Sequence, residues 1–218
     1  MTGSVDQTGA GRGASSAEVR QRLLEIAAHM VREQGAPALS ARKLAAAAGT
    51  STMAVYTHFG GMPGLVRAMV AEGFRRLFER VAAVPVTDDP LQDLRNAAAA
   101  YRAHAQADPD LYMVMFGSAT LGDHRLHRED RIVGLDAFEQ IKQFMQRGMA
   151  AGALREADPA AVAAQWWTAL HGFVMLELTK FIDVVDDAED TVLWPLMDHL
   201  LRSLMVTPGP PEPGVFRQ

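Results

Sequence analysis

Three Asp-Pro pairs, Asp89-Pro90, Asp108-Pro109 and Asp158-Pro159, restrict this chain more than any other feature. An Asp at the start of a helix accepts hydrogen bonds from the free N–H groups of the first turn. A Pro at the next position lacks the N–H that would go unpaired there, and its φ is already helical. Each pair therefore marks a helix start. The stretches between the prolines and glycines carry apolar residues at helical spacing, with almost no alternating strand pattern. The fold class that follows is all-α. Helices are predicted over 16–34, 41–48, 52–58, 63–82, 90–106, 109–118, 124–150, 159–185 and 189–206, about nine in all. Val19, Leu23, Ile26, Ala27 and Met30 form the apolar face of the first. Leu65, Met69, Phe74, Leu77, Phe78 and Val81 form that of the fourth.

Composition narrows the function. The 218 residues include no cysteine, which excludes disulfide frameworks and thiolate metal sites and fits a cytoplasmic address. The opening "MTGSVDQTGAGRGASS" has no apolar run, so no secretory signal is expected. The longest uncharged stretch, Pro159 to Leu176, is short for a membrane span and reads as a buried helix. Charge is uneven: residues 1–80 hold ten Lys/Arg against six Asp/Glu, and residues 81–218 hold eleven against twenty. A basic front on an acidic chain suits a polyanionic partner at the front, or simply differently solvated faces. The expected organisation is a disordered tail at 1–14, a small helical head at 15–62, a larger helical domain at 63–206 and a Pro-rich flexible tail at 207–218.

The head holds the most telling local pattern. Ser40 caps the second helix, whose stripe is Ala41, Leu44, Ala45 and Ala48. Gly49 follows, at a place where helices end on a left-handed residue. Thr50 and Ser51 then offer a hydroxyl cap to the third helix. Helix, three-residue turn and helix make a helix-turn-helix unit, in which the second helix enters the DNA major groove. Ala54, Val55 and Phe59 would face inward. Ser51, Thr52, Met53, Tyr56 and Thr57 would face outward, with Arg42 and Lys43 beside them. A plain helical hairpin has the same turn, so at this level both readings stand.

The segment "LSARKLAAAAGTSTMAVYTHFGGMPGLVRAMV", Leu39 to Val70, resembles the DNA-binding domain of TetR-family transcriptional regulators. The shared pattern is a hydroxyl cap, an Arg two residues on, an Ala-rich helix, Ala-Gly, Ser, then Val-Tyr-x-His-Phe and a Leu entering the next helix. The resemblance implies a homodimeric repressor that binds a near-palindromic double-stranded DNA operator. It implies that Arg42 and Lys43 reach DNA from the second helix and that Thr50, Ser51, Thr52 and Met53 open the recognition helix. Tyr56 and His58 would meet phosphate, with Thr57 alongside. The family often carries Lys at the start of the fourth helix; Met62 holds that place here, so a charged phosphate contact is missing.

In the back half, "QWWTALHGFVMLEL" resembles the Trp-His-Gly signature of one C-terminal domain class of the same family, through Trp167, His171 and Gly172. Gly172 would allow close helix approach. Trp167 and His171, four residues apart, share a helix face and either line a pocket or pack in the core. A pocket built there would draw on Tyr101, Tyr112, Met113, Phe116, Phe138, Met145, Trp167 and His171 and would take a small, mostly apolar effector. The last two predicted helices carry broad apolar stripes: Val162, Trp166, Ala169, Leu170, Phe173 and Leu176, then Val192, Leu196, Leu200, Leu201 and Leu204. Their burial against a second copy gives the expected homodimer. His124 and His127 with Asp123 and Glu129 read as a solvated helix start, so neither metal nor cofactor is expected, and no nucleophile grouping points to an enzyme. The competing reading is a helical small-molecule-binding or enzymatic protein whose hairpin never meets DNA.

Overall fold

The computed structural model describes residues 15–35, 38–117, 120–121, 124–125 and 134–205. Both expected tails lie outside these residues, as do Asp123, His127 and Glu129. Local chemistry accounts for most helix starts. Helix α1 (Ser16–Gln34) opens with a capping box: the Ser15 hydroxyl accepts from the Glu18 N–H at 3.2 Å, and the Glu18 carboxylate accepts from the Ser15 N–H at 2.6 Å. Ser40 caps α2 (Ala41–Ala48) in the expected way, and α3 (Thr52–Phe59) and α4 (Met62–Ala82) follow. Asp89 caps α5 (Pro90–Ala107) through the N–H groups of Leu91 and Gln92. Helix α6 (Pro109–Gly117) follows at once, then α7 (Leu135–Ala150), α8 (Pro159–Leu178, capped by Asp158) and α9 (Trp194–Leu204).

Several expectations need correction. Helix α6 starts at Pro109 as expected and the Asp108 carbonyl accepts from the Tyr112 N–H, but the Asp108 carboxylate is held by Arg76 at 3.1 Å instead of bonding the first turn. Helix α7 starts at Leu135 rather than at 124, and His124–Arg125 instead pair antiparallel with Thr120–Leu121. Helix α8 stops at Leu178, because Lys180 takes a left-handed φ of 65°. A short 3₁₀ turn follows at Phe181–Val184. The segment Glu189–Leu193 forms a π-helical turn ahead of α9. Pro195 explains that turn: it cannot donate to the ladder, and its ring crowds the carbonyl four residues back. Phe78 is 38% exposed rather than core.

The apolar side chains collect into two cores. The head core joins Leu23, Leu24 and Ala27 of α1 with Leu44 of α2, Val55 of α3 and Leu65, Met69 and Val70 of α4. The larger core joins Leu77 and Val81 of α4 with residues of α5 and α7 to α9, among them Leu94, Met145, Trp166 and Leu170. Helix α6 belongs to both: Leu111 and Val114 enter the head core, whereas Tyr112 and Met115 enter the larger one. Gly73 marks where α4 crosses α6. A Cβ there would overlap the thioether of Met115 and lie 3.2 Å from Leu111 Cγ.

Most of the stripe expected to face a second copy is used within the chain. Val162, Trp166, Leu170 and Phe173 are buried, as are Leu201 and Leu204, while Leu176 and Leu196 stay 45% and 40% exposed. Because Leu111 bolts α6 to the head, Leu111→Ala should lower the unfolding free energy by about 2–5 kcal/mol in urea denaturation. A loss below about 1 kcal/mol would contradict this packing.

Candidate DNA interface and effector cluster

The outer face of α3 is set by what its inner face must bury. Val55 is fully buried, and Ala54 and Phe59 pack partly against the head core. Helical geometry then turns Thr52, Met53, Tyr56 and Thr57 outward; Met53 is 67% exposed and Tyr56 57%. Two glycines fix the helix at its ends. Gly49 has φ 64° and ψ 38°, and its N–H closes α2. A side chain there would have space but a strained backbone. At the other end a Cβ on Gly64 would collide with the Phe59 carbonyl, so only glycine lets α4 start this close to the end of α3.

Ser51 occupies the cap position of α3 with no hydroxyl bond to the helix, unlike the expected cap. The Ala54 N–H donates to the Ser51 carbonyl at 3.0 Å, and the Thr52 and Met53 N–H groups have no acceptor among the described residues. Arg42 and Lys43 are exposed at the start of α2 with no ion-pair partner among the described residues. His58 is half-buried, with its ring 6.2 Å from that of Phe59. One contact had no sequence signal: Arg20 of α1 lays its guanidinium over the Phe59 ring, 5.3 Å from the centroid.

The second assembly lies in the larger core. The Trp167 indole N–H donates to Tyr101 Oη at 3.0 Å. Tyr101 Oη and Tyr112 Oη are 2.8 Å apart, and His171 Nδ1 lies 2.8 Å from Tyr112 Oη and 3.2 Å from Tyr101 Oη. The Phe116 ring sits 4.5 Å from the His171 ring, and Phe138 packs edge-on against Trp167 at 6.4 Å. Six of the eight expected effector residues thus meet, brought by α5, α6, α7 and α8. Met145 is buried in the same core. Met113 is half-buried on the same helix as Tyr112 and Phe116, between Tyr112 and Val114 in sequence. A Cβ on Gly172 would meet nothing within 4 Å among the described residues, so no described helix of this chain approaches it there. Burial holds the His171 imidazole below its ordinary range, raises the Tyr101 phenol to about 12 and raises that of Tyr112 further. All three groups are neutral near pH 7.

Between the two cores runs a charged seam. Asp110, in the first turn of α6, pairs with Arg32 and with His29 Nδ1 of α1. Arg76 of α4 binds Asp108 at 3.1 Å and Glu72 at 2.8 Å. A cleft of about 140 Å³ opens here, lined by Leu24, Glu25 and Arg76 among others. Its acids are already paired, and it lies away from the aromatic cluster, so it reads as a domain junction rather than the effector site. His104 sits near this seam, buried, with its ring 6.4 Å from Tyr112 and no partner for Nε2 among the described residues. Ion pairs between residues so far apart in sequence leave no local signal, and none of these was foreseen.

Two family models match this chain. One, bacterial regulatory proteins of the tetR family, covers residues 23–69, and the other, the tetracyclin repressor-like C-terminal domain, covers residues 94–200. The chain belongs to the TetR family. Its helix-turn-helix head makes it a DNA-binding transcriptional regulator of that family. It is 28% identical over 172 residues to the uncharacterized HTH-type transcriptional regulator Rv0681 of Mycobacterium tuberculosis, covering 77% of this chain and 73% of that one. The TetR-family regulator PfmR of Thermus thermophilus superposes with a TM-score of 0.68 at 24% identity, over 83% of this chain and 97% of that one. A SmeT–triclosan complex gives 0.69 at 23% identity, over 89% and 98%. These structures share the fold. Among the described residues no helix is long and apolar enough to cross a membrane.

The buried imidazole of His104 gives a pH test of this junction. Burial, with help from Arg80 and Arg76, outweighs Asp108 and drives its pKa from 6.5 down to about 4. The unfolded chain therefore takes up a proton in this window that the folded chain refuses, so stability falls as pH drops from 6.5 towards 4. The loss should reach roughly 3 kcal/mol. Urea titrations across that range should show the slope in the wild type and a reduced slope in His104→Leu. Equal slopes would contradict the burial.

Proposed function

We propose that this protein is a homodimeric, ligand-responsive repressor that reads a near-palindromic operator through α3 and releases it when a small, mostly apolar effector binds beside the aromatic cluster. The observation that carries the reading is the outer face of α3. An exposed row of Thr52, Met53, Tyr56 and Thr57 can touch base edges and thymine methyls, and exposed Arg42 and Lys43 stand next to it for phosphate. The uncapped start of α3 adds backbone N–H donors for a phosphate oxygen. With Met62 at the start of α4, the charge for backbone contact falls mainly on α2. A repressor of this kind works in the cytoplasm, where its operator is.

A dimer is favoured by the exposed face of α8. It comprises Ala161, Gln165, Thr168, Gly172 and Leu176, with no charge among them, on a chain of net charge −5. Gly172, with open space around it, suits the close approach of a second helix there. Exposed Leu196 on α9 and Phe181 and Val184 after α8 extend the apolar surface. Two heads related by a two-fold axis would then match a two-fold operator.

For the effector, the six-residue aromatic assembly supplies apolar walls with a polar centre. SmeT, of like fold, was solved with triclosan, which supports an apolar ligand for this site. Helix α6 would transmit binding, because Tyr112 and Phe116 touch the cluster while Leu111, Val114 and Asp110 hold the head. An effector lowers DNA affinity only by as much as it prefers the arrangement with mis-spaced heads.

Selection from random DNA, followed by anisotropy titration of the selected site against salt, tests the reading. A site with dyad symmetry is expected. Arg42→Ala should weaken binding and reduce the log–log salt slope by about one. Tyr56→Phe should weaken all sites alike, and changes at Thr52 or Met53 should alter which sequence is preferred. Wild-type affinity in an Arg42→Ala, Tyr56→Phe double variant would overturn it.

A further inference from the structure

The aromatic cluster has an internal count of protons that selects one state of His171. Four polar groups meet there: the Trp167 indole, the Tyr101 and Tyr112 hydroxyls, and His171 Nδ1. If Nδ1 carries the proton, it and the indole N–H both donate into the two hydroxyls, and only one hydroxyl can donate across the single Tyr101–Tyr112 contact. One hydroxyl hydrogen of a fully buried tyrosine is then left without a partner among the described residues. If Nδ1 is bare, every hydrogen is used. Trp167 donates to Tyr101, Tyr101 donates to Tyr112, and Tyr112 donates to His171 Nδ1 in a one-way chain. Buried polar hydrogens are rarely left unpaired, so the chain fixes the Nε2–H tautomer. That N–H is the one donor the cluster leaves unspent, as no acceptor for it occurs among the described residues.

We infer that the effector of this protein is an uncharged ring-bearing molecule with a hydrogen-bond acceptor, such as a ketone, ester or aryl ether oxygen, placed to receive the Nε2–H of His171. The inference rests on the cluster being the effector site. Ammonium ligands are disfavoured because the cluster, among the described residues, presents a donor and no carboxylate. Carboxylate ligands are disfavoured too. A buried anion would call for an imidazolium, and protonating Nδ1 would break the chain by removing the acceptor of Tyr112. Neutral donor-only ligands would leave the Nε2–H unpaired. Phe116, Phe138 and Trp167 give flat contacts, so the acceptor should lie beside or between aromatic rings.

Two measurements on the full-length protein test this. Long-range ¹H–¹⁵N NMR of the wild type at pH 7 should show His171 with a bare Nδ1 and a protonated Nε2. The opposite tautomer overturns the inference, whether or not any ligand binds. Calorimetry with benzophenone and diphenylmethane, which differ by a carbonyl against a methylene, should show benzophenone binding about tenfold tighter. His171→Phe keeps an aromatic ring but has no donor, and should bring the two ligands to equal affinity. Equal binding of both by the wild type overturns the acceptor requirement while leaving the pocket standing. Binding of neither removes the pocket reading, and the inference with it.

Discussion

The structure depends on one short helix being shared. Helix α6 is nine residues long, and its opposite faces end in different cores. Leu111 and Val114 complete the head, and Tyr112, Met115 and Phe116 complete the larger domain. The helical period makes this possible, since 111 and 114 share one face while 112, 115 and 116 share another. Because interiors are close-packed, α6 cannot shift against one core without the other responding. The Gly73 crossing makes the constraint tighter by bringing α4 against α6 at the same level.

The charged seam adds direction to that link. Asp108 and Asp110 flank Pro109 at the junction of α5 and α6, and each is held by arginine from a different helix, Arg76 of α4 and Arg32 of α1. Surface pairs of this kind add little stability each. Their effect is to fix where the first turn of α6 sits on α1 and α4. His104 feels the Asp108 carboxylate and has its ring 6.4 Å from that of Tyr112, so the polar cluster and the seam are neighbours through a single tyrosine.

Much of this was legible in the sequence, and the remainder has physical reasons for being hidden. The caps at Ser40, Asp89 and Asp158 are local, so they could be read directly. At Asp108 the helix also starts at Pro109, but a distant arginine takes the carboxylate that would have capped it. Residues of α3 sorted correctly into inner and outer faces because Val55 and Phe59 sit at helical spacing. Tyr101, Tyr112, Trp167 and His171 could be proposed together from residue type and family likeness, but their hydrogen-bond chain depends on geometry no pattern encodes. The stripes of α8 and α9 were visible, yet their division between internal core and exposed face was not, since burial on either side asks for the same residues.

Helix α6 locks head and body into one unit. Native-state hydrogen exchange, followed as urea is raised, measures it directly. Protected amides of α1 and α4 in the head and of α5 and α8 in the body should open with a common free energy and a common urea dependence. A head that opens by itself at a markedly lower free energy, with α6 remaining protected alongside the body, would contradict the account.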